Sequence, residues 1–95
     1  MEVAQTIFQQ LGGNKFVVMT GSNTFASTGN GLRFKLTRNK TVANFCIITL
    51  NSKDLYDFEF VKAGKSYKEV QTVSNVYVDQ LQRIFTQITG LYTKF

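Results

Sequence analysis

Histidine, proline and tryptophan are absent from this chain, and cysteine occurs once, at Cys46. Without histidine the usual general base is missing, and with it most hydrolase triads and most zinc sites. Without proline, slow prolyl isomerisation has no part in folding. A lone cysteine excludes an intrachain disulfide and any cysteine metal cluster. Cys46 lies in the most apolar run, which predicts a buried, inert thiol. No stretch approaches a membrane span, so no membrane partner is expected. The opening residues, MEVAQTIFQQ, lack the basic start and apolar run of a secretory signal, and a cytoplasmic protein is expected.

What is present suits one small globular domain, residues 1–95. Hydrophobic residues make up 43% of the chain, too many for disorder. Nine Phe and four Tyr predict an aromatic core. Eleven Lys and Arg stand against six acids, a net charge of +5 that favours a polyanionic partner. A charge of this size also serves simple solubility.

The stretch 43–62, ANFCIITLNSKDLYDFEFVK, organises the rest. Its first half, Ala43 to Leu50, is apolar on both faces, with Phe45 and Ile47 pointing one way and Cys46, Ile48 and Leu50 the other. Such a strand belongs in the middle of a sheet. Its second half, Leu55 to Lys62, alternates: Tyr56, Phe58 and Phe60 share one face, Asp57 and Glu59 the other. The loop Asn51 to Asp54 joins them as a hairpin.

Before this hairpin, Val3, Ile7, Phe8 and Leu11 form one stripe, predicting a short helix over 3–11 that Gly12 and Gly13 end. Residues 15–20, KFVVMT, read as the first strand. The segment 21–31, GSNTFASTGNG, is rich in turn formers, with brief pairing over Thr24 to Ser27 and a tight turn at Asn30-Gly31. Residues 31–37 alternate Leu32, Phe34 and Leu36 against Arg33, Lys35 and Thr37, a strand with a cationic outer face. Arg38-Asn39-Lys40 follows as a basic turn. After the hairpin, 63–66 is a turn and 67–73 an edge strand of mixed polarity. A longer C-terminal helix is predicted over 76–90, with a stripe of Tyr77, Val78, Leu81, Ile84, Phe85 and Ile88 and a stop at Gly90. The fold expected is α+β: an antiparallel sheet of about five strands, with a short N-terminal helix and a longer C-terminal helix packed on one face.

Chemistry is sparse. Asp57 and Glu59 share a strand face at roughly 7 Å by strand geometry, a spacing compatible with acid–base work. Their more economical role is surface pairing with Arg33 and Lys35, or with Lys65 and Lys68. The loops at Gly12-Gly13 and Gly29-Asn30-Gly31 precede no helix that would make a phosphate loop, and both read as turns. No catalytic residue, metal ligand or cofactor is expected.

The basic set carries the functional expectation. Arg33, Lys35, Arg38 and Lys40 lie within eight residues, interleaved with Phe34 and Leu36. A cationic strand leading into a basic turn can track a phosphate backbone, and Lys53, Lys65 and Lys68 extend it if their loops share a side. Phe25, Tyr67 and Tyr92 offer rings for base stacking. The competing reading is a solvated strand face of ordinary alternation. The leading expectation is non-enzymatic binding of single-stranded DNA without sequence specificity. The alternative is a small effector that binds an acidic protein and modulates a host enzyme or defence system. The tail Leu91, Tyr92 and Phe95, with the C-terminal helix, offers an anchor for a homodimer.

Several stretches together resemble a widespread group of small bacteriophage and mobile-element proteins of unassigned function. They are Gln10 to Phe16, Met19-Thr20-Gly21, Ile48 to Asn51 leading into Asp54 to Asp57, and Val76 to Leu81 through Thr89 to Thr93. The resemblance spans nearly the whole chain, implies expression inside a bacterial cell, and supplies no site residues. From residue 31 to 90 the order of elements is also similar to the transcriptional-coactivator-type single-strand DNA binders, which place antiparallel strands before one dimerising helix. The N-terminal helix and first strand depart from that pattern.

Overall fold

A computed structural model describes residues 2–37 and 39–91. Helix α1 spans Glu2–Leu11 and buries Ile7 and Leu11 of the predicted stripe together with Ala4, while Val3 and Phe8 are half-buried at its margin. It stops where Gly13 takes φ 60 and its N–H donates to the Phe8 carbonyl at 2.9 Å. A glycine at positive φ satisfies a last-turn carbonyl in this way without steric cost.

The next element departs from expectation. Residues Asn14–Thr20 form a second helix, α2, and not a strand, so the Gly12-Gly13 loop does precede a helix, contrary to expectation, though one of only 7 residues. Phe16 and Thr20, four apart, are its buried pair. The Phe16 ring meets Phe34 and Phe85 at centroid distances of 5.5 and 5.1 Å. Val18, on the outer side, is 77% exposed. A strand would have turned Phe16, Val18 and Thr20 to one face; the helix buries only two of them. The docking of Phe16 outweighs the β-branched composition, since propensity is a weak prior against packing. Thr20 returns its hydroxyl to the Phe16 carbonyl at 2.8 Å, and left-handed Gly21 ends the helix on the Val17 carbonyl.

Five strands follow: β1 Asn23–Ser27, β2 Gly31–Lys35, β3 Phe45–Leu50, β4 Tyr56–Lys62 and β5 Lys68–Val76. They form one sheet in the order β1-β2-β3-β4-β5, every neighbour antiparallel. The strand apolar on both faces, β3, sits in the centre as its composition predicts. The turn-rich segment yields a full edge strand, because Phe25 packs between Phe8 and Phe34, each at 5.1 Å. The opposite edge, β5, runs three residues beyond the predicted end, to Val76 opposite Tyr56. Val78–Gln80 then make one 3-10 turn before α3, Leu81–Thr89. The C-terminal helix is therefore shorter than predicted, and Tyr77 and Val78 are 58% and 50% exposed instead of helical core. Gly90 caps it with φ 77, as expected of that glycine.

All three helices lie on one face. Phe34, Cys46, Ile48, Phe58 and Phe60 from the sheet join Ile7, Leu11, Phe16, Leu81 and Phe85 in a single core. Polar links tie the layers: the Tyr56 hydroxyl donates to Gln10 Oε1 at 2.8 Å, and Gln82 Nε2 donates to the Leu11 carbonyl at 2.8 Å. No described helix is long and apolar enough to cross a membrane.

Candidate nucleic-acid interface

The meander decides where the cations go. In an antiparallel sheet with sequential order, the β2–β3 and β4–β5 connections fall at one end and the β1–β2 and β3–β4 turns at the other. Lys35 ends β2, Lys40 lies in the following connection, Lys62 ends β4, Lys65 occupies the next turn and Lys68 starts β5. These five lysines therefore gather at one end of the sheet, and all five are exposed. Glu69, opposite Val61, is the acid placed nearest them on the strands. Lys62 and Lys68 are direct cross-strand partners. Like charges in that position are destabilising, so the pair concentrates positive potential at a cost to the sheet.

Lys62 is a residue of this site that the sequence reading misses; its place at the strand end beside Lys65 and Lys68 is the available signal. Lys53, expected to extend the surface, belongs to the β3–β4 turn at the far end, where its N–H donates to Asn51 Oδ1 at 2.8 Å. Arg38 lies outside the described residues. Arg33 is two residue pairs further along the sheet, exposed, with its guanidinium carbon 5.7 Å from the Phe45 ring centre. Lys40 turns toward the helical side. Its N–H donates to the Thr89 carbonyl at 2.8 Å, and its stem lies against Gly90 so closely that a Cβ there would stand 2.9 Å from Cγ. A lysine at the carbonyl end of α3 is favoured by the helix dipole.

No described helix covers the other face of the sheet. Arg33 and Lys35 of β2, Phe45 and Ile47 of β3, and Asp57, Glu59 and Val61 of β4 occupy it, in rows set by the pairings Arg33–Ile47–Glu59–Thr72 and Lys35–Phe45–Val61–Glu69. Phe45 and Ile47 are half-buried there. Phe45 is thus a surface ring that its place in the most apolar strand conceals. Tyr67, 63% exposed, reaches over this face to donate to Glu59 Oε2 at 3.2 Å. Its phenol is raised above the ordinary value by desolvation, then by the charge of Glu59 and the hydrogen bond to it, and by Glu69. Phe25, expected as a stacking ring, instead belongs to the core margin, and Tyr92 lies outside the described residues.

The carboxylate pair is structural in its contacts. Asp57 Oδ1 accepts from Asn51 Nδ2 and from the Asn75 N–H, both at 3.0 Å, pinning an irregularity of β5 where Asn75 has φ 59. The expected cross-strand pairing with Arg33 does not occur, because β3 intervenes and Glu59 lies two strands away, about 10 Å by strand spacing. Among the described residues no three Cys, Asp or Glu side chains gather as metal ligands.

Cys46 is fully buried, and burial pushes its thiol well above the ordinary range. Folding then favours the protonated thiol. The stability this contributes is complete below about pH 8.5, the value in an unfolded chain, and is lost as pH rises toward the folded value. Thermal melts should show Tm falling above about pH 8.5, and Cys46→Ala should flatten that fall. A thiol reagent should react with Cys46 only once denaturant is added.

No protein-family model matches this chain, and no curated protein or solved structure is similar to it at a significant level.

Proposed function

We propose that this is a non-enzymatic domain that binds single-stranded nucleic acid, DNA by preference, through the basic end of its sheet. The observation that carries the reading is the Lys62–Lys68 cross-strand pair beside Lys65, with Lys35 and Lys40 at the same end. A sheet gains nothing internally from opposing two ammonium groups; a phosphate backbone relieves them. Lysine is a point charge that binds phosphate without reading bases, so binding is indifferent to sequence. Exposed Tyr67 in the adjoining turn supplies a ring on which a base can stack. The buried thiol and the resemblance to phage proteins support action in the reducing cytoplasm of a bacterial host.

The test is fluorescence anisotropy with a labelled single-stranded oligonucleotide across a salt series. Replacing Lys62, Lys65 and Lys68 together by alanine should weaken binding alike for all sequences. It should reduce the slope of log affinity against log salt by about 2, at ~0.7 for each phosphate no longer neutralised. An unchanged affinity and slope would remove the assignment, and the lysines' ligand would then be sought by capture of an acidic protein partner from nuclease-treated lysate.

A further inference from the structure

The open sheet face has an ordered charge pattern. Across β3 it runs from cations to acids: Arg33 and Lys35 on the β2 side, Phe45 and Ile47 in the middle, then Glu59 and Glu69 on the β4–β5 side. A surface apolar at its centre, positive on one flank and negative on the other is complementary to itself under one kind of rotation. We infer that this face is the interface of a homodimer, in which two copies stack their sheets face to face about a two-fold axis parallel to the strands and centred on β3.

The charges choose the axis. Rotation about an axis parallel to the strands exchanges the flanks and keeps position along the strand. It sets β3 on β3 and β2 on β4. Because Arg33, Ile47 and Glu59 share one row, it brings Arg33 over the partner's Glu59, and Glu59 over the partner's Arg33. Phe45 and Ile47 then meet their own copies in the centre. An axis across the strands would instead lay β2 on β2 and oppose Arg33 to Arg33. Two sheets stacked this way stand about 10 Å apart, close enough for the central side chains to interdigitate. The interface is isologous, so each charge contact occurs twice.

Part of the alternative dimer surface expected from sequence, the C-terminal helix, is turned into its own core. Leu81 and Phe85 of α3 are wholly inside their own core, and Tyr92 and Phe95 lie outside the described residues. On the sheet face away from the helices Val61 is buried and Tyr67 reaches across to Glu59, while Phe45 and Ile47 stay half-exposed, Phe45 beneath the Arg33 guanidinium. The dimer rests on that face alone, and does not depend on nucleic acid. The same axis does place both basic ends at one end of the dimer, doubling the lysine surface.

Sedimentation velocity without nucleic acid tests the arrangement. The wild-type chain should sediment as a dimer that weakens as salt is raised. Arg33→Glu and Glu59→Arg should each shift the protein to monomer while keeping its circular dichroism, because each homodimer then opposes like charges twice. Mixed in equal amounts, the two variants should re-form a dimer: the chain carrying two acids meets the chain carrying two arginines at both contacts. Ile47→Lys should abolish association in every combination. A monomeric wild type overturns the inference. So does a dimer indifferent to these substitutions, or a mixture that stays monomeric.

Discussion

Phe34→Ala is expected to remove a large share of the stability of this chain. Phe34 is fully buried, and its ring meets Phe16 of α2, Phe25 of β1 and Phe85 of α3 at 5.5, 5.1 and 6.1 Å. One side chain thus joins an edge strand, a strand next to the centre and two helices. Removing it costs the transfer energy of the ring and leaves a cavity that four elements cannot all close, about 3–5 kcal/mol. A domain of 95 residues has only about 5–14 kcal/mol in total. Urea titration followed by circular dichroism should show the midpoint falling well below that of the parent, with the slope unchanged. A loss below about 1 kcal/mol would mean that the ring cluster is not the centre of the core.

Gly31→Val should be nearly as damaging, for a different reason. Gly31 opens β2 opposite Thr49. A Cβ built there would collide with the carbonyl oxygen of Ile48, and would stand 2.9 Å from the Thr49 Cα and 3.0 Å from Thr28 Oγ1. The first two obstacles are backbone of the central strand, which cannot step aside without opening the β2–β3 pairing. The expected loss is about 3 kcal/mol, at the upper end for inserted volume. Gly64→Ala is the control: nothing lies within 4 Å of its added Cβ, and a change within about 0.5 kcal/mol is expected. Equal stability of the two variants in denaturant titration would contradict the close approach. Gly31 reads as a turn residue in the sequence. Its importance is the nearness of another strand, which no local pattern carries.

That contrast runs through the whole chain. The alternation of Tyr56, Phe58 and Phe60 against Asp57 and Glu59 is a local signal of period two, and it survives in β4. The double-sided apolar run places β3 centrally. KFVVMT is too short for its period to separate helix from strand, and the deciding contact of Phe16 with Phe34 and Phe85 comes from far along the chain. NTFAS carries turn formers and a single large apolar residue, so the sequence suggests only brief pairing over Thr24 to Ser27, and its place as a full edge strand comes from pairing with β2. The basic residues are visible one by one. Their gathering depends on sheet order: Lys35 and Lys65 share an end because the meander is sequential, and Lys53 is excluded by the same rule. Phe45 reads as part of a core strand, and its surface position depends on which face the helices take.

The link from Gln82 to the carbonyl of Leu11 spans 71 residues. Every strand pairing, by contrast, joins consecutive strands. During synthesis the sheet can therefore assemble hairpin by hairpin as it emerges, while its inner face still waits for α3. Until Leu81 and Phe85 leave the ribosome, Phe34, Phe58 and Phe60 have only part of their cover. The nascent chain passes through an interval in which a formed sheet exposes aromatic rings to chaperones and to other chains. A ribosome stalled before residue 81 has left the exit tunnel should hold a species with paired strands and no closed core, and vulnerability to proteases should end abruptly once α3 docks.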